Sequence, residues 1–235
     1  DTNCEAVFWR AAIHEAGAAQ ILHPTVEGEF LRPATIAAGQ EVTFSDTVAR
    51  AIYVTAGKIS TDGQDIACDD GLVADGPVTL VAGPEGASLW RWDLSDTDQQ
   101  ASTHRVAHKL SGSVPDALAI SESFLRLDSV AFPPAGTAML HTHQGPGIRC
   151  LREGHVRIDT EGSSTAYGPG GAWFEGGPEP VFLQAVEDIP SRFIRAMVLP
   201  KALLGKSSIH YVNEEDRAKP KSQSYRNFGE IGLAL

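Results

Sequence analysis

The chain has 235 residues, of which 42% are hydrophobic, and a formal net charge of −11. That length and apolar content fill one large or two modest globular cores, and the acidic balance with no basic cluster argues against nucleic acid or an anionic membrane as partner. No run approaches the roughly 20 apolar residues of a membrane-spanning helix.

From the N-terminus, Phe8-Trp9-Arg10-Ala11-Ala12-Ile13 reads as an added strand or short helix. The chain starts at Asp1, as removal of a signal peptide or trimming would leave it. The expectation is an exported protein with a permitted Cys4 to Cys68 bridge and Cys150 unpaired, a cytoplasmic protein being the alternative. The three cysteines form no Cys-x-x-Cys pair, which argues against a structural metal site built from them.

Beyond residue 29, short stretches rich in Val, Ile and Phe are broken by Gly, Pro, Asp and Asn at intervals of about ten residues, the pattern of a sandwich or barrel. The pattern repeats. Phe30-Leu31-Arg32 recurs as Phe124-Leu125-Arg126, and Ile36-Ala37-Ala38-Gly39 as Phe132-Pro133-Pro134-Ala135-Gly136. Ala51 to Gly57 matches Ile148 to Gly154, and Leu72-Val73-Ala74-Asp75-Gly76 matches Ala172-Trp173-Phe174-Glu175-Gly176. The closing strands, Leu89 to Leu94 and Phe193 to Leu199, share an arginine, Arg91 and Arg195. These matches, in order and at similar spacing, predict a duplicated barrel. The resulting domains are 1–94, a linker at 95–121 that is partly helical, 122–200, and an extension at 201–235. The extension's anchors Ile209, Tyr211, Tyr225, Phe228 and Ile231 return it across a barrel face.

His141-Thr142-His143 carries the strongest chemical signal. Histidines at i and i+2 on a strand project from one face, so their imidazoles converge inside a barrel. By the same period Arg149 projects inward, where a guanidinium needs a partner such as Glu175 or a ligand carboxylate; a shift of one residue would leave it in solvent. Trp173 and Phe174 alternate faces, so one is expected to line the cavity and the other to pack outside, packing of both in the core being the commoner fate of strand aromatics. His104 and His108 have helical spacing but no companion glutamate of a metalloprotease motif, and they read as a solvated face.

Gly136, His141, His143 and Gly154, with the stretch Tyr167 to Val181, resemble the two motifs of the cupin superfamily, and residues 28–200 resemble a two-domain bicupin. The resemblance implies an all-β protein of two tandem cupin barrels (double-stranded β-helix, or jelly-roll) with short helical connections. It also implies a divalent transition metal (Fe, Mn, Ni or Zn) held by His141 and His143. Two positions depart from the motifs: Gly147 stands where the motif glutamate would be, and Pro180 or Val181 where the second-motif histidine would be. Glu175 is the candidate third ligand, ahead of Gln144 and Glu153. In the first repeat, Phe44, Asp46 and Arg50 replace the motif ligands, so that barrel is expected to be structural.

Two functions follow. One is a metal-dependent enzyme of dioxygenase, isomerase or lyase type on a small oxygen-rich or carboxylate substrate. Arg149 and Trp173 would bind substrate, and Glu175 would act as general base if it is not a ligand. The other is a non-catalytic bicupin that binds a small ligand or serves assembly, without metal. The expected partners are a small molecule and, among proteins, a second copy in a homodimer.

Overall fold

The computed structural model describes residues 28–45, 48–95, 110–115 and 118–233. Residues 8–13, Cys4, Asp46, His104 and His108 lie outside them.

The first repeat forms β1 (Gly28–Ile36), β2 (Glu41–Phe44), β3 (Ala49–Thr61), β4 (Gln64–Ala67), β5 (Gly71–Asp75) and β6 (Val78–Ser95). The linker adds β7 (Leu110–Gly112), which pairs with β1. These seven strands make one antiparallel sheet in the order β4-β3-β6-β1-β7, with β2 on β6 and β5 on β3. β3 and β6 are 13 and 18 residues long, and their pairing shifts register at Val54/Ala56 and Gly57/Ile59, which bends the sheet around its own core. Gly57 sits in that bend at φ +71°, where a Cβ would come within 2.1 Å of Gly86 O. Only glycine tolerates both conditions.

The second repeat forms β8 (Ser123–Phe132), β9 (Thr137–His143), β10 (Gly147–Glu153), β11 (Val156–Thr160), β12 (Ser163–Tyr167), β13 (Ala172–Glu175), β14 (Val181–Ala185) and β15 (Ser191–Pro200). The extension contributes β16 (Ile209–Tyr211), a one-turn helix α1 (Glu214–Ala218) and β17 (Ser224–Gly232). Two five-stranded sheets face each other, β13-β10-β15-β8-β17 and β12-β11-β14-β9-β16. The extension therefore supplies an edge strand to each sheet rather than only packing on a face. Gly154, the counterpart of Gly57, has φ +75° and a Cβ position 2.3 Å from Pro190 O.

The barrels pack against each other through one apolar cluster. Tyr53, Trp92 and Leu94 of the first meet Leu125, Leu127, Ile148, Cys150 and Ile194 of the second. β8, β10 and β15 are consequently buried on both faces, one toward their own barrel and one toward its neighbour. Each such side chain contributes about 1.5–3 kcal/mol. A polar rim borders this cluster. Tyr53 Oη donates to Asp69 Oδ1 at 2.6 Å, and the same oxygen takes Arg152 at 3.0 Å and Arg192 at 3.3 Å. Cys68, at the same edge, is an exposed thiol with no disulfide among the described residues, and the expected partner Cys4 lies outside them.

Sheet register corrects the repeat alignment in two places. Ile52 pairs with Arg91 as Arg149 pairs with Arg195, which confirms the closing-strand match. Arg32 then lies opposite Arg91 where Asp128 lies opposite Arg195, so the recurring Phe-Leu-Arg is two residues out of step. Likewise Arg50 pairs with Ala74 and Gly147 with Glu175, so Ala74 is the counterpart of Glu175, not Asp75.

Candidate metal and ligand site

β9 alternates, and His141 and His143 are both buried on its inward face at 5% exposure each. His141 lies opposite Val181 on β14 and Tyr211 on β16; His143 lies opposite Ile209. Their Nε2 atoms are 3.2 Å apart, and the rings stand nearly perpendicular. His141 Nδ1 is 2.7 Å from Met139 O, an acceptor only, so Nδ1 carries the proton and Nε2 faces His143 bare. His143 Nδ1 lies 3.3 Å from Ser208 Oγ.

Glu175, at the end of β13, reaches into the same space from the strand position opposite Gly147. Its Oε2 is 3.3 Å from His143 Nε2 and 2.8 Å from Arg149 Nη2, while Trp173 Nε1 donates to Oε1 at 2.8 Å. The carboxylate thus enters from a neighbouring strand, beside the backbone position the motif glutamate would occupy. A Cβ on Gly147 would lie 2.3 Å from Ala196 O, so a glutamate cannot stand there without moving β15.

Arg149, 1% exposed, also donates to Gly147 O. The inward orientation is thus the one realised. Arg195 is held by two bonds to Asp128, at 2.6 and 3.0 Å. Burial alone would raise the Glu175 carboxyl, but the Arg149 guanidinium and the bond with His143 hold it far below the usual carboxylate range. Burial pushes His143 down to about 3, against the opposing pull of Glu175, and depresses His141 for the same reason. Both imidazoles are therefore neutral at ordinary pH, the protonation state a metal ligand needs.

Trp173 does not line the cavity. It is packed against Phe193 and Tyr167, with ring centroids at 5.2 and 4.9 Å, and it positions Glu175 through its indole N–H. Its faces follow the alternation: Phe174 joins the cluster between the barrels. Gln144 is exposed, and Glu153 pairs with Arg192 at 2.7 Å, so neither reaches the histidines.

The space beside these groups is about 20 Å³, room for about one water molecule. Arg195, Gln223 and Tyr225 line it along with the histidines. Gln223 is 8% exposed; its Nε2 donates to Tyr225 Oη at 3.1 Å, and its Oε1 has no hydrogen-bond partner among the described residues. The sequence did not single out Ser208 or Gln223, because nothing in a polar extension marks which residues turn inward, and it offered Tyr225 only as an apolar anchor of that extension. Arg195 was within reach, since the shared arginine of the closing strands pointed to it.

A divalent ion fits the imidazole pair. Two nitrogens each about 2.1 Å from one ion lie roughly 3 Å apart when they are neighbouring ligands, near the separation seen. The third donor is engaged elsewhere. Among the described residues no group of three or more His, Cys, Asp or Glu is arranged to hold a metal, and Glu175 Oε2 is shared between His143 and Arg149.

No protein-family model matches the sequence, and no curated protein matches it. Solved structures do. The oxalate decarboxylase of Bacillus subtilis, a protein with Mn(II) centres, aligns at a TM-score of 0.60 and 12% identity, over 83% of this chain and 74% of that one. The oxalate decarboxylase of Lactobacillus farciminis, in a formate complex, aligns at 0.58 and 12%, over 84% and 83%. The chain has the bicupin fold. Val181, one of the two positions where the second-motif histidine was expected, lies directly opposite His141.

Proposed function

We propose that the C-terminal barrel of this bicupin is a divalent-metal-dependent enzyme site for a small carboxylate or oxygen-rich molecule, the metal held by His141, His143 and Glu175. The observation that carries this reading is the pair of facing imidazole nitrogens, one of them bare because its ring is fixed by Met139 O. When bound, the ion supplies Lewis acidity at a substrate oxygen.

The chain's own residues do the rest. Arg149 is held by Gly147 O and Glu175 and directs a carboxylate by paired N–H donors. Val130, Phe132, Leu183 and Phe193 wall the site and exclude water. Glu175 is a poor general base, because a carboxylate held far below its usual range releases protons readily and takes them up weakly; ligation is the better role for it. Ser208 and Met139 fix the two rings. The Mn(II) centres of the Bacillus subtilis neighbour make manganese the first metal to test.

Metal analysis of protein purified without chelator tests the reading. About one equivalent per chain is expected, falling to background in His141→Ala. Occupancy unchanged by that substitution would refute the assignment.

A second reading, a ligand-binding bicupin without metal, is favoured by Gly147 and Val181 at two ligand positions and by Arg149 on Glu175. In that state His143 Nε2–H donates toward His141 Nε2 and Glu175, and Ser208 donates to His143 Nδ1, which satisfies every ring nitrogen. Metal-free protein that binds a small carboxylate as tightly as the metal-supplemented protein would establish it.

A further inference from the structure

We infer that residues 209–223 form a strap across the C-terminal barrel, and that the strap swings away to admit any molecule larger than water to the imidazole pair. The inference rests on the reading of this barrel as a small-molecule site, with or without metal. Three observations lead to it.

The first is the route of the chain. β16 adds to the edge of one sheet, beside β9, and β17 to the edge of the facing sheet, beside β8. Residues 212–223 therefore cross from sheet to sheet and close the gap between those two edges.

The second is where the wall of the cavity is thin. The space beside the imidazoles holds about one water, so the structure is a closed state. The lining residues from β8, β10, β14 and β15 are buried, as are Ala138, His141 and His143 of β9. Appreciable exposure is kept by Glu175, Ile209 and Tyr225, and Tyr225, at 48%, keeps the most. Two of those three belong to the extension, so the short way in from solvent runs through it. Gln223 stands beside them, buried, with Oε1 lacking a hydrogen-bond partner among the described residues. A buried acceptor of that kind is satisfied by water or by a polar molecule that enters.

The third is how the strap is held. Much of its bonding is internal. Asn213 and Lys219 donate to the Asp216 carboxylate at 3.0 and 2.6 Å, Lys221 donates to Asp216 O and lies over the Tyr211 ring, and Arg217 meets His210 at 3.3 Å. Among the described residues, its hydrogen bonds to the rest of the barrel are few. They are the three-residue pairing of β16 with β9, Val212 N to Leu140 O at 3.0 Å, Ser222 with Thr137 at 2.9 and 3.0 Å, and Gln223 Nε2 to Tyr225 Oη at 3.1 Å. β17, by contrast, is paired with β8 from Ser224 to Gly232. Segments held by a few solvent-exposed hydrogen bonds open locally while the core stays folded. Tied to itself, the strap moves as one piece between Ser208 and β17.

Diethyl pyrocarbonate, which acylates an imidazole nitrogen and is far larger than water, reads the opening in the chelator-treated full chain. Mass mapping follows the His141–His143 peptide, with exposed His155 as reference, and hydrogen exchange follows residues 209–223 in parallel. In the wild type the pair is expected to react slowly, but faster than the core strands β8 and β15 exchange. Ser222→Ala removes the surface bonds to Thr137 and should speed both labelling of the pair and exchange of the strap about three- to tenfold, with His155 and the melting temperature unchanged. Ser222→Thr keeps the hydroxyl and should behave as the wild type does. Labelling of the pair that does not change when Ser222→Ala accelerates strap exchange overturns the strap as the way in. So does labelling no faster than exchange of the core strands. Metal found in protein whose pair is labelled only on global unfolding overturns the strap alone. Labelling through the strap in protein that binds neither metal nor small molecule overturns the functional reading alone.

Discussion

The two barrels share a plan and differ at the positions that matter for chemistry. Where the second has Arg149, Glu175 and His141, the first has Ile52, Ala74 and Phe44. Its buried charges are Arg50, Arg91 and Asp93, with Arg91 over the Phe44 ring at 4.0 Å and Arg91 Nε on Asp93 at 2.8 Å. An aromatic ring fills the place of the first motif histidine, and a guanidinium covers it. The comparison teaches that one backbone can be filled or functional depending on a few inward residues, since the outer strands and the turn glycines recur in both halves.

The sharpest way to break the comparison is to give the first barrel the second's charge. Ile52 is fully buried, and Ala74 offers no carboxylate, so Ile52→Arg should destabilise the protein by about 3–5 kcal/mol. That is a large fraction of the roughly 5–15 kcal/mol that holds a domain folded. Urea unfolding measures it, and adding Ala74→Glu should recover part of the loss if the two positions face each other as Arg149 and Glu175 do.

The converse change removes the second barrel's partner. Glu175→Ala leaves Arg149 buried without its carboxylate and is expected to cost about 3–5 kcal/mol in the same assay. Arg149→Met with Glu175→Leu imitates the first barrel, and its stability should return close to wild type while metal binding is lost. If the double variant is as unstable as the single one, the ion pair is not what distinguishes the barrels.

Acid should separate the two barrels more gently. The folded-state value of His143 is lowered to about 3 from an unfolded value near 6.5, so between those limits the unfolded chain holds the extra proton. Stability is then fully present above about pH 6.5 and declines by on the order of 1 kcal/mol per pH unit below it. Glu175, lowered as well, adds a further loss only as pH falls below the ordinary carboxylate range. Thermal melting across pH checks this, and His143→Gln should flatten the upper part of the decline.

The smallest effect is expected at the rim between the barrels. Asp69 is half exposed, and its bonds with Tyr53, Arg152 and Arg192 are correspondingly weak. Asp69→Asn should cost about 0.2–1 kcal/mol, less at high salt, as a salt series of melts would show. A larger loss would mean that the barrels are held by charge rather than by the apolar cluster around Trp92 and Leu125.

The duplication was legible because strand alternation and turn glycines are local features: Gly57 and Gly154 each satisfy a bend that no other residue fits. The inward histidines and Arg149 followed from the same period of two. Trp173 was misjudged, since period two gives the face of a side chain but not how deep other rings bury it. The repeat offsets at Arg32 and Ala74 arose because matching residue types is a weaker constraint than hydrogen-bonded register.

The sequence by itself determined two barrels, one with an imidazole pair and one without, because side-chain alternation and backbone conformation depend on near neighbours in the chain. Only the tertiary structure decided what surrounds the pair. It brought Glu175 across from Gly147, set Arg149 on the carboxylate, and turned Ser208, Gln223 and Tyr225 inward from a distant extension. Those contacts join residues far apart along the chain, and strand pairing between sheets, which no local pattern encodes, fixes them.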